Sequence, residues 1–221
     1  MSIHLRRDLD SLERRLLILV GLVEEALRSS IAAVLDRRLD LAEKVIAGDE
    51  EIDRREVELE EECLKSLALH QPVASDLRFV AACLKIDNDL ERIGDLATNI
   101  AERAVALAAL PPISISPRLR EMMEMCVRML RDSTAALVRG HADLARRVCA
   151  EDDTVDAANE HVVTRELELM HQDPSRIEER VNLISISKNL ERVADHTTNI
   201  AEDVLYLVEG EIVRHRAPGG S

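Results

Sequence analysis

Apolar residues recur along this chain at alternating steps of three and four positions. The longest such stripe comprises eight residues between positions 83 and 107, namely Cys83, Ile86, Leu90, Ile93, Ala97, Ile100, Ala104 and Leu107. Steps of three and four place these side chains on one face of an α-helix, and no comparable stretch shows the alternation of a half-buried strand. The pattern therefore predicts long amphipathic helices that pack as an antiparallel bundle.

Proline residues set the boundaries of these helices. The six prolines lie at positions 72, 111, 112, 117, 174 and 218. A proline inside a helix costs about 3 kcal/mol, so the long stretches between prolines are where helices form. Weaker breaks at 36–40 and 139–141 divide two of these stretches. We predict six helices, over about 4–36, 39–69, 73–110, 118–139, 141–171 and 175–212.

A motif in the third predicted helix is repeated in the sixth, 100 residues later. Leu90–Glu102 reads LERIGDLATNIAE and Leu190–Glu202 reads LERVADHTTNIAE, so nine of 13 positions are identical. Upstream, Asp49-x-x-x-Asp53 is matched by Asp152-x-x-x-Asp156. The chain therefore contains a tandem duplication of a three-helix unit.

The duplication defines the predicted architecture, which is all-α, with six long helices as two tandem three-helix bundles. We assign residues 1–110 to the first repeat, 111–117 to a linker and 118–215 to the second repeat. We expect the tail at 216–221 to be disordered, because RAPGGS contains no apolar stripe.

Charge and composition exclude several classes of function. Asp and Glu outnumber Lys and Arg by 43 to 29, a net charge of −14, which argues against binding to a nucleic-acid backbone. Aromatic residues make up only 1% of the chain, which leaves no platforms for base stacking. The early apolar run Leu16–Val23 is far shorter than the roughly 20 residues that span a bilayer, and we expect no secretory signal. The four cysteines form no C-x-x-C pair, and we expect free thiols in a cytoplasmic protein.

The repeated motif carries a row of polar side chains beside its apolar stripe. Glu91, Asp95 and Asn99 are spaced four residues apart, Glu102 follows three residues later, and the preceding helix adds the pair of Asp49 and Asp53. The second copy has the same set, Glu191, Asp195, Asn199, Glu202, Asp152 and Asp156. Like charges at this spacing repel by about 0.2–0.5 kcal/mol, so their presence in both copies indicates that a cation is bound between them. The alternative is a solvated face on which Arg92 and Arg192 form ion pairs.

The ligand types restrict the metal without identifying it. Carboxylate and amide oxygens suit Mg, Mn, Ca and iron, and zinc less well without His or Cys. Positions that we take to be exposed have diverged between the copies, as at Asp87 against Ser187 and Lys85 against Ser185. This contrast favours a role for the polar row.

Other kinds of site find less support. Glu168-x-x-His171 has the spacing of a ferritin-like di-iron ligand pair, but a second such pair is absent from the sequence. His70 and His171 match between the copies, and each lies beside a helix end, where a capping role is favoured over a ligand role. No G-x-S-x-G or Gly-rich phosphate loop is present, so we expect a protein that is not an enzyme.

The doubled motif resembles the signature of the PhoU family of phosphate-uptake regulators. The approach to its first copy, ALHQPVASDLRFVAACLKIDNDLERIGD over Ala68–Asp95, is similar to that family almost throughout. The resemblance implies two PhoU-like three-helix repeats in a cytoplasmic, non-enzymatic protein that is peripheral to the membrane through its partners. It implies repression of the phosphate-starvation response together with a phosphate ABC transporter and a sensor histidine kinase, and a homodimer.

The resemblance also concerns metals, since several members of the family bind multinuclear iron or zinc clusters through E/D-x-x-x-D motifs. Carried over here, the motif falls on Glu91 and Asp95, with three equivalent pairs at Glu191 and Asp195, Asp49 and Asp53, and Asp152 and Asp156. Other members are metal-free, so a metal-free protein is the alternative. In the second copy Arg176-Ile177-Glu178 replaces Asp76-Leu77-Arg78, which argues against an equivalent role for Arg78. Two other functions remain open: a ferritin-like metal protein, and an accessory module of another phosphate or cation transporter.

Overall fold

The computed structural model describes residues 3–210 of the 221-residue chain. Within this range there are six long α-helices and a 3₁₀ turn, and the all-α prediction is confirmed. The predicted helix starts lie within two residues of the observed ones, whereas the predicted end at 212 and the predicted tail at 216–221 lie outside the described residues. The helices are α1 (Ile3–Asp36), α2 (Leu39–His70), α3 (Ala74–Ala109), α4 (Pro117–Arg139), α5 (Ala142–Gln172) and α6 (Ile177–Glu209), with the 3₁₀ turn at Pro174–Arg176.

Local sequence accounts for the helix ends, as α4 illustrates. The hydroxyl of Ser116 accepts a hydrogen bond from the backbone N–H of Leu119 at 3.2 Å, and Pro117 occupies the first helical position, where no N–H is required. Gly140 closes the helix with φ +60°, a left-handed conformation that glycine adopts without strain. The helix is therefore delimited by residues that favour its start and its end.

The core is aliphatic and continuous through both halves. All eight members of the apolar stripe on α3 are buried, and α6 buries the equivalent stripe up to Val204. Helices α1, α2 and α3 pack together, as do α4, α5 and α6, while α3 and α6 lie side by side at the centre and α1 touches α4 along a short stretch. None of the helices within residues 3–210 combines the length and apolar character needed to cross a bilayer.

Polar contacts join the two halves along α3 and α6. Lys85 Nζ lies 3.0 Å from Oδ1 of Asp203, a side chain that is only 2% exposed. Further along, Oδ1 of Asp89 accepts a hydrogen bond from Nδ2 of Asn199 at 3.2 Å and lies 2.8 Å from Nδ1 of His196. Because contacts advance along α3 while they retreat along α6, these two helices run antiparallel.

Two arginines hold the segment that joins the halves. Arg37 donates to the carbonyls of Ala108 and Leu110 at 3.0 and 2.8 Å, at the end of α3. Arg176 donates to the carbonyls of residues 111–112 at 3.2 and 2.8 Å. The start of the connecting segment is therefore fixed to both halves, which positions α3 and α6 as one unit.

Candidate metal centre

Helices α2 and α3 approach each other closely at Gly94. A Cβ atom at this position would lie 3.1 Å from Cγ2 of Ile52 on α2. Ile52 lies between Asp49 and Asp53 in the sequence, and Gly94 directly precedes Asp95. The missing side chain at position 94 therefore lets the acidic residues of α2 come close to those of α3.

Three carboxylates converge at this crossing. Asp49, Asp53 and Asp95 each offer one oxygen, and these three oxygens lie within 4.8 Å of one another. Over residues 3–210, no other set of three or more Asp, Glu, His or Cys side chains meets that condition. A cluster of carboxylate oxygens is the donor set that hard divalent cations prefer.

The carboxylates of the cluster interact through their charges. Burial raises the pKa of Asp49, and the charges of Asp53 and Asp95 raise it further. The hydroxyl of Thr98 opposes this shift, because it donates a hydrogen bond to Oδ1 of Asp49 at 3.1 Å. The fold thus holds these carboxylates together against their mutual repulsion.

Glu91 lies one helical turn before Asp95 and shares its electrostatic environment. Burial raises the pKa of Glu91, as do the charges of Asp95 and Glu56, while Arg92 lowers it. The guanidinium of Arg92 lies 3.3 Å from Oε2 of Glu91 and 3.5 Å from Oδ2 of Asp95, so the predicted ion pair of Arg92 with Asp95 is present. Arg92 is half exposed, and pairs of this kind contribute only about 0–1 kcal/mol. The buried Oε2 atom of Glu91 makes no hydrogen bond.

The equivalent carboxylates of the second half lie on α5 and α6, but no three of their oxygens lie within 4.8 Å of one another. Burial raises the pKa of Asp152 to about 6, and the charges of Asp195 and Asp156 add to the shift. The pKa values of Asp195 and Glu191 are also raised by burial first and by neighbouring carboxylates second. Thr198 lowers the pKa of Asp152, as Thr98 lowers the pKa of Asp49. The carboxylates of the second row therefore influence one another across α5 and α6, whereas within residues 3–210 only those of the first row converge.

Comparison with known proteins identifies the repeated unit. The family model described as the PhoU domain matches residues 16–104 and again residues 119–204. The chain belongs to the PhoU family. The resemblance inferred from the doubled motif is confirmed.

Relatives cover nearly the whole chain. The PhoU homologue of Aquifex aeolicus, named a phosphate-specific transport system accessory protein, is 38% identical over 211 residues, which are 95% of each protein. The Pseudomonas aeruginosa homologue of the same name is 36% identical and covers 97% of this chain and 89% of its own length. The crystal structure of PhoU from P. aeruginosa matches with a TM-score of 0.88 over 93% of this chain and 99% of that one, at 36% identity. The phosphate transport system regulatory protein PhoU from Streptococcus pneumoniae gives a TM-score of 0.87 over 95% and 99%, at 30% identity.

The predicted asparagine and distal glutamate ligands of the PhoU domains lie apart from the converging oxygens. Asn99 is exposed, and Asn199 uses its amide to donate to Asp89 between α3 and α6. Glu102 pairs with Arg103 at 3.3 Å, although its charge still reaches Asp49. The charge of Glu202 acts on the thiol of Cys149.

Neither histidine that matches between the PhoU domains joins a carboxylate row. Nε2 of His70 lies 2.9 Å from Oδ2 of Asp8 on α1. His171 contacts the carbonyl of Leu167 in its own helix at 2.7 Å, and Glu168 pairs with Arg165 instead. The spacing of Glu168 and His171 therefore does not assemble a ferritin-like ligand pair.

Asp87 of the first PhoU domain was expected to be exposed, and this expectation was wrong. Asp87 is 1% exposed and Ser187, its counterpart, is fully buried. Both residues face the preceding helix of their domain, because they lie four positions before Glu91 and Glu191 on the same row. That register was the signal in the sequence that could have placed Asp87 beside the acidic cluster.

Proposed function

We propose that this protein is a regulatory adaptor of phosphate uptake and of the phosphate-starvation response. It would act with the ATPase or permease of a phosphate ABC transporter and with a sensor histidine kinase. The observation that carries this proposal is the pair of PhoU domains along the whole chain, shared with relatives named phosphate-specific transport system accessory proteins. The division into repeats at 1–110 and 118–215, joined by 111–117, belongs to the same proposal.

The cysteines support a role other than catalysis. Cys63, Cys83 and Cys126 are buried, and burial raises the pKa of the Cys126 thiol. Burial also raises the pKa of Cys149 to about 11. Thiols of this kind remain protonated near neutral pH and are poor nucleophiles.

A cytoplasmic homodimer that reaches the membrane only through its partners is part of the proposal.

We further propose that the two carboxylate rows hold cations when the protein is loaded. We base the ligand set on eight carboxylates, because Asn199 donates its amide to Asp89, while Asn99 remains a predicted ligand. The ions would be iron, Mg or Mn, which suit all-oxygen donors, or zinc, which only the resemblance to the family adds. Oε2 of Glu91 and Oδ1 of Asp152 are buried and accept no hydrogen bond, which fits such an ion. The proposed ligands are Asp49, Asp53, Glu91 and Asp95 in the first domain and Asp152, Asp156, Glu191 and Asp195 in the second.

Genetic replacement tests the adaptor role. The gene would be expressed in a P. aeruginosa strain that lacks its own PhoU homologue, alongside a reporter of the phosphate-starvation response. Restored repression in phosphate-rich medium is the expected result, because the two proteins share fold and domain order. Constitutive reporter activity despite normal protein levels would contradict the proposal.

Capture of partners separates this role from that of a module for another transporter. Untagged protein would be precipitated from its own cells after cross-linking, and co-purifying proteins identified by mass spectrometry. The phosphate transporter ATPase and the sensor kinase are expected. Recovery of a different transporter in their place would favour the alternative.

Elemental analysis of the same untagged preparation tests the metal proposal. The double change of Asp95 and Asp195 to Asn should remove the metal and leave the helical content unchanged. Metal retained in that variant would refute the ligand assignment while leaving the adaptor role untouched.

A further inference from the structure

A shallow groove with apolar side chains lies between the end of α3 and the start of α6. Its volume is about 640 Å³, and its apolar side chains include Ala106, Ile177 and Val181. Ile177 is 45% exposed and Val181 is 52% exposed. Valine is a poorer helix former than alanine, so the helix itself does not account for a valine at an exposed position. Exposed apolar residues grouped around one groove are typical of a contact surface.

The pseudo-equivalent place, at the other end of the α3–α6 pair, carries contacts made by the chain itself. Tyr206 stands there in the position of Ala106. Nζ of Lys85 lies 5.3 Å from the centre of the Tyr206 ring and 3.0 Å from Oδ1 of Asp203. In the open groove Arg103 stands in the position of Asp203. The duplication therefore supplies a ring and an ion pair at one end of these two helices, and leaves an alanine and an arginine at the other.

Two opposite charges border the open groove. Arg103 lies on α3, and Glu178 lies in the first turn of α6. In the antiparallel register of these helices Arg103 lies level with Ser185, about two helical turns from Glu178. The pair of Arg103 with the adjacent Glu102 is partly exposed and contributes little, and Glu178 has no ion-pair partner among residues 3–210. The groove thus presents a positive charge at one end and a negative charge at the other.

We propose that this groove is the surface through which two copies of this chain associate. In a twofold arrangement the two grooves run in opposite directions, so Arg103 of each copy faces Glu178 of the other. Ile177 and Val181 of both copies then form the apolar centre of the contact. A twofold contact requires a surface that is complementary to itself, and opposite charges on either side of an apolar centre meet that requirement. The inference rests on the homodimer included in the proposed function and adds the face that forms it.

Sedimentation velocity of the untagged full chain, between about 1 and 100 µM, tests the proposal. We expect a dimer with a micromolar dissociation constant, because the groove involves fewer residues than the roughly 20–30 a side of a standard interface. Val181→Lys should weaken dimerisation at least about tenfold, since it places a charge at the apolar centre. Val57→Lys is the matched control, because Val57 on α2 is 49% exposed and lies outside the groove, and it should leave the dimer unchanged.

Exchange of the two charges tests the twofold arrangement itself. Arg103→Glu and Glu178→Arg should each weaken dimerisation at least about tenfold, since each change places like charges opposite each other. The double variant should restore the wild-type dissociation constant, because both pairs are then reversed. A double variant that dimerises no better than the single variants would overturn the arrangement.

The outcomes distinguish this face from the homodimer and from the adaptor role. A wild-type dimer that survives Val181→Lys and both charge changes would refute the face and leave the homodimer standing. A wild type that remains monomeric over the whole concentration range would refute both. The reporter assay in P. aeruginosa decides the adaptor role independently. Far-ultraviolet circular dichroism verifies that each variant keeps the helical content of the wild type.

Discussion

Gly94 of α3 lies directly against Ile52 of α2, with only 3.1 Å between the place of a Cβ atom and Cγ2 of the isoleucine. In the second domain the equivalent residues are Ala194 and Val155. The extra methyl group at position 194 is matched by a smaller side chain opposite it. Both domains thus keep one close helix crossing with the volume divided differently between the two helices.

The change Gly94→Ala should therefore destabilise the protein even though alanine favours helices. The gain in helix propensity is about 0.8–1 kcal/mol, whereas overpacking a close crossing costs about 1–3 kcal/mol. We expect a net loss of about 1 kcal/mol in the free energy of unfolding, measured by urea denaturation. Adding Ile52→Val removes Cδ1, which would lie 3.3 Å from the new Cβ, and should recover part of the loss, although the contact with Cγ2 remains. A Gly94→Ala protein more stable than the wild type would show that the crossing is not tight.

The stability of metal-free protein should depend on pH through Asp87. Its pKa is raised to about 8 in the folded state, above the value of about 3.9 in an unfolded chain. The stabilising effect of the bound proton is therefore complete below about pH 4 and is lost as the pH rises to 8. With chelator present, Asp87→Asn should be more stable than the wild type at pH 9, by about 1–3 kcal/mol, and close to it at pH 5.

Urea denaturation at both pH values measures this effect. Asp152, whose pKa is raised to about 6, contributes a slope of the same sign at lower pH. The quantity to compare is therefore the difference between the variant and the wild type at each pH. A difference that does not change between pH 5 and pH 9 would contradict the assignment.

The contact of Lys85 with Asp203 should stabilise the junction of the two halves. Asp203 is 2% exposed, so removing the ammonium group of Lys85 leaves its buried charge less well compensated. Lys85 is 43% exposed, which reduces the effect, and we expect Lys85→Met to cost about 1–2 kcal/mol. In a double-mutant cycle, Asp203→Asn should recover part of that loss. Additive effects of the two changes would show that the contact contributes nothing.

Arg176 should protect the connecting segment from proteolysis. Its guanidinium donates to the carbonyls of residues 111–112 and to Oε1 of Glu179, a side chain that is only 3% exposed. Arg176→Met should increase the rate of cleavage near 111–117 under limited proteolysis, because the segment loses its anchor. The exposed pair of Arg165 and Glu168 provides a control, and Arg165→Met should leave the cleavage rate unchanged. Equal rates in both variants would argue against the anchoring role.

The sequence was sufficient for the helices because their ends depend on local chemistry. Proline positions and the apolar stripes located α1 to α6 closely, and the duplication located both carboxylate rows. The proximity of Asp49 and Asp53 to Asp95 was suggested by the repetition of the same residues in the sequence as Asp152, Asp156 and Asp195. Spacing alone, however, does not show which neighbouring helix a polar side chain faces.

Asn199 and Asp87 illustrate that limit. Asn199 lies on the predicted row but donates to Asp89 on α3, whereas Asp87 lies one turn before the other row and is buried toward α2. Arg78 and Arg176 illustrate a second limit of inference from the sequence. When the two repeats are aligned, Arg78 and Arg176 are offset by two positions. Even so, Cζ of Arg78 lies 3.9 Å from the place that a Cβ of Gly210 would occupy at the end of α6, and Arg176 binds the chain just beyond α3. Their equivalence exists only in three dimensions, since each reaches the far end of the other half.

The ion pair of Lys85 with Asp203 also determines which halves can associate. The position equivalent to Lys85 in the second domain is Ser185, and the position equivalent to Asp203 in the first domain is Arg103. Two copies of the first domain would place Lys85 opposite Arg103, with like charges facing each other, and two copies of the second would leave Asp203 opposite a serine. The favourable arrangement is the heterotypic one, in which unlike halves meet. The duplicated chain thereby encodes a selectivity against homotypic pairing, and two fused domains can carry different residues at equivalent positions where a symmetric dimer of single domains cannot.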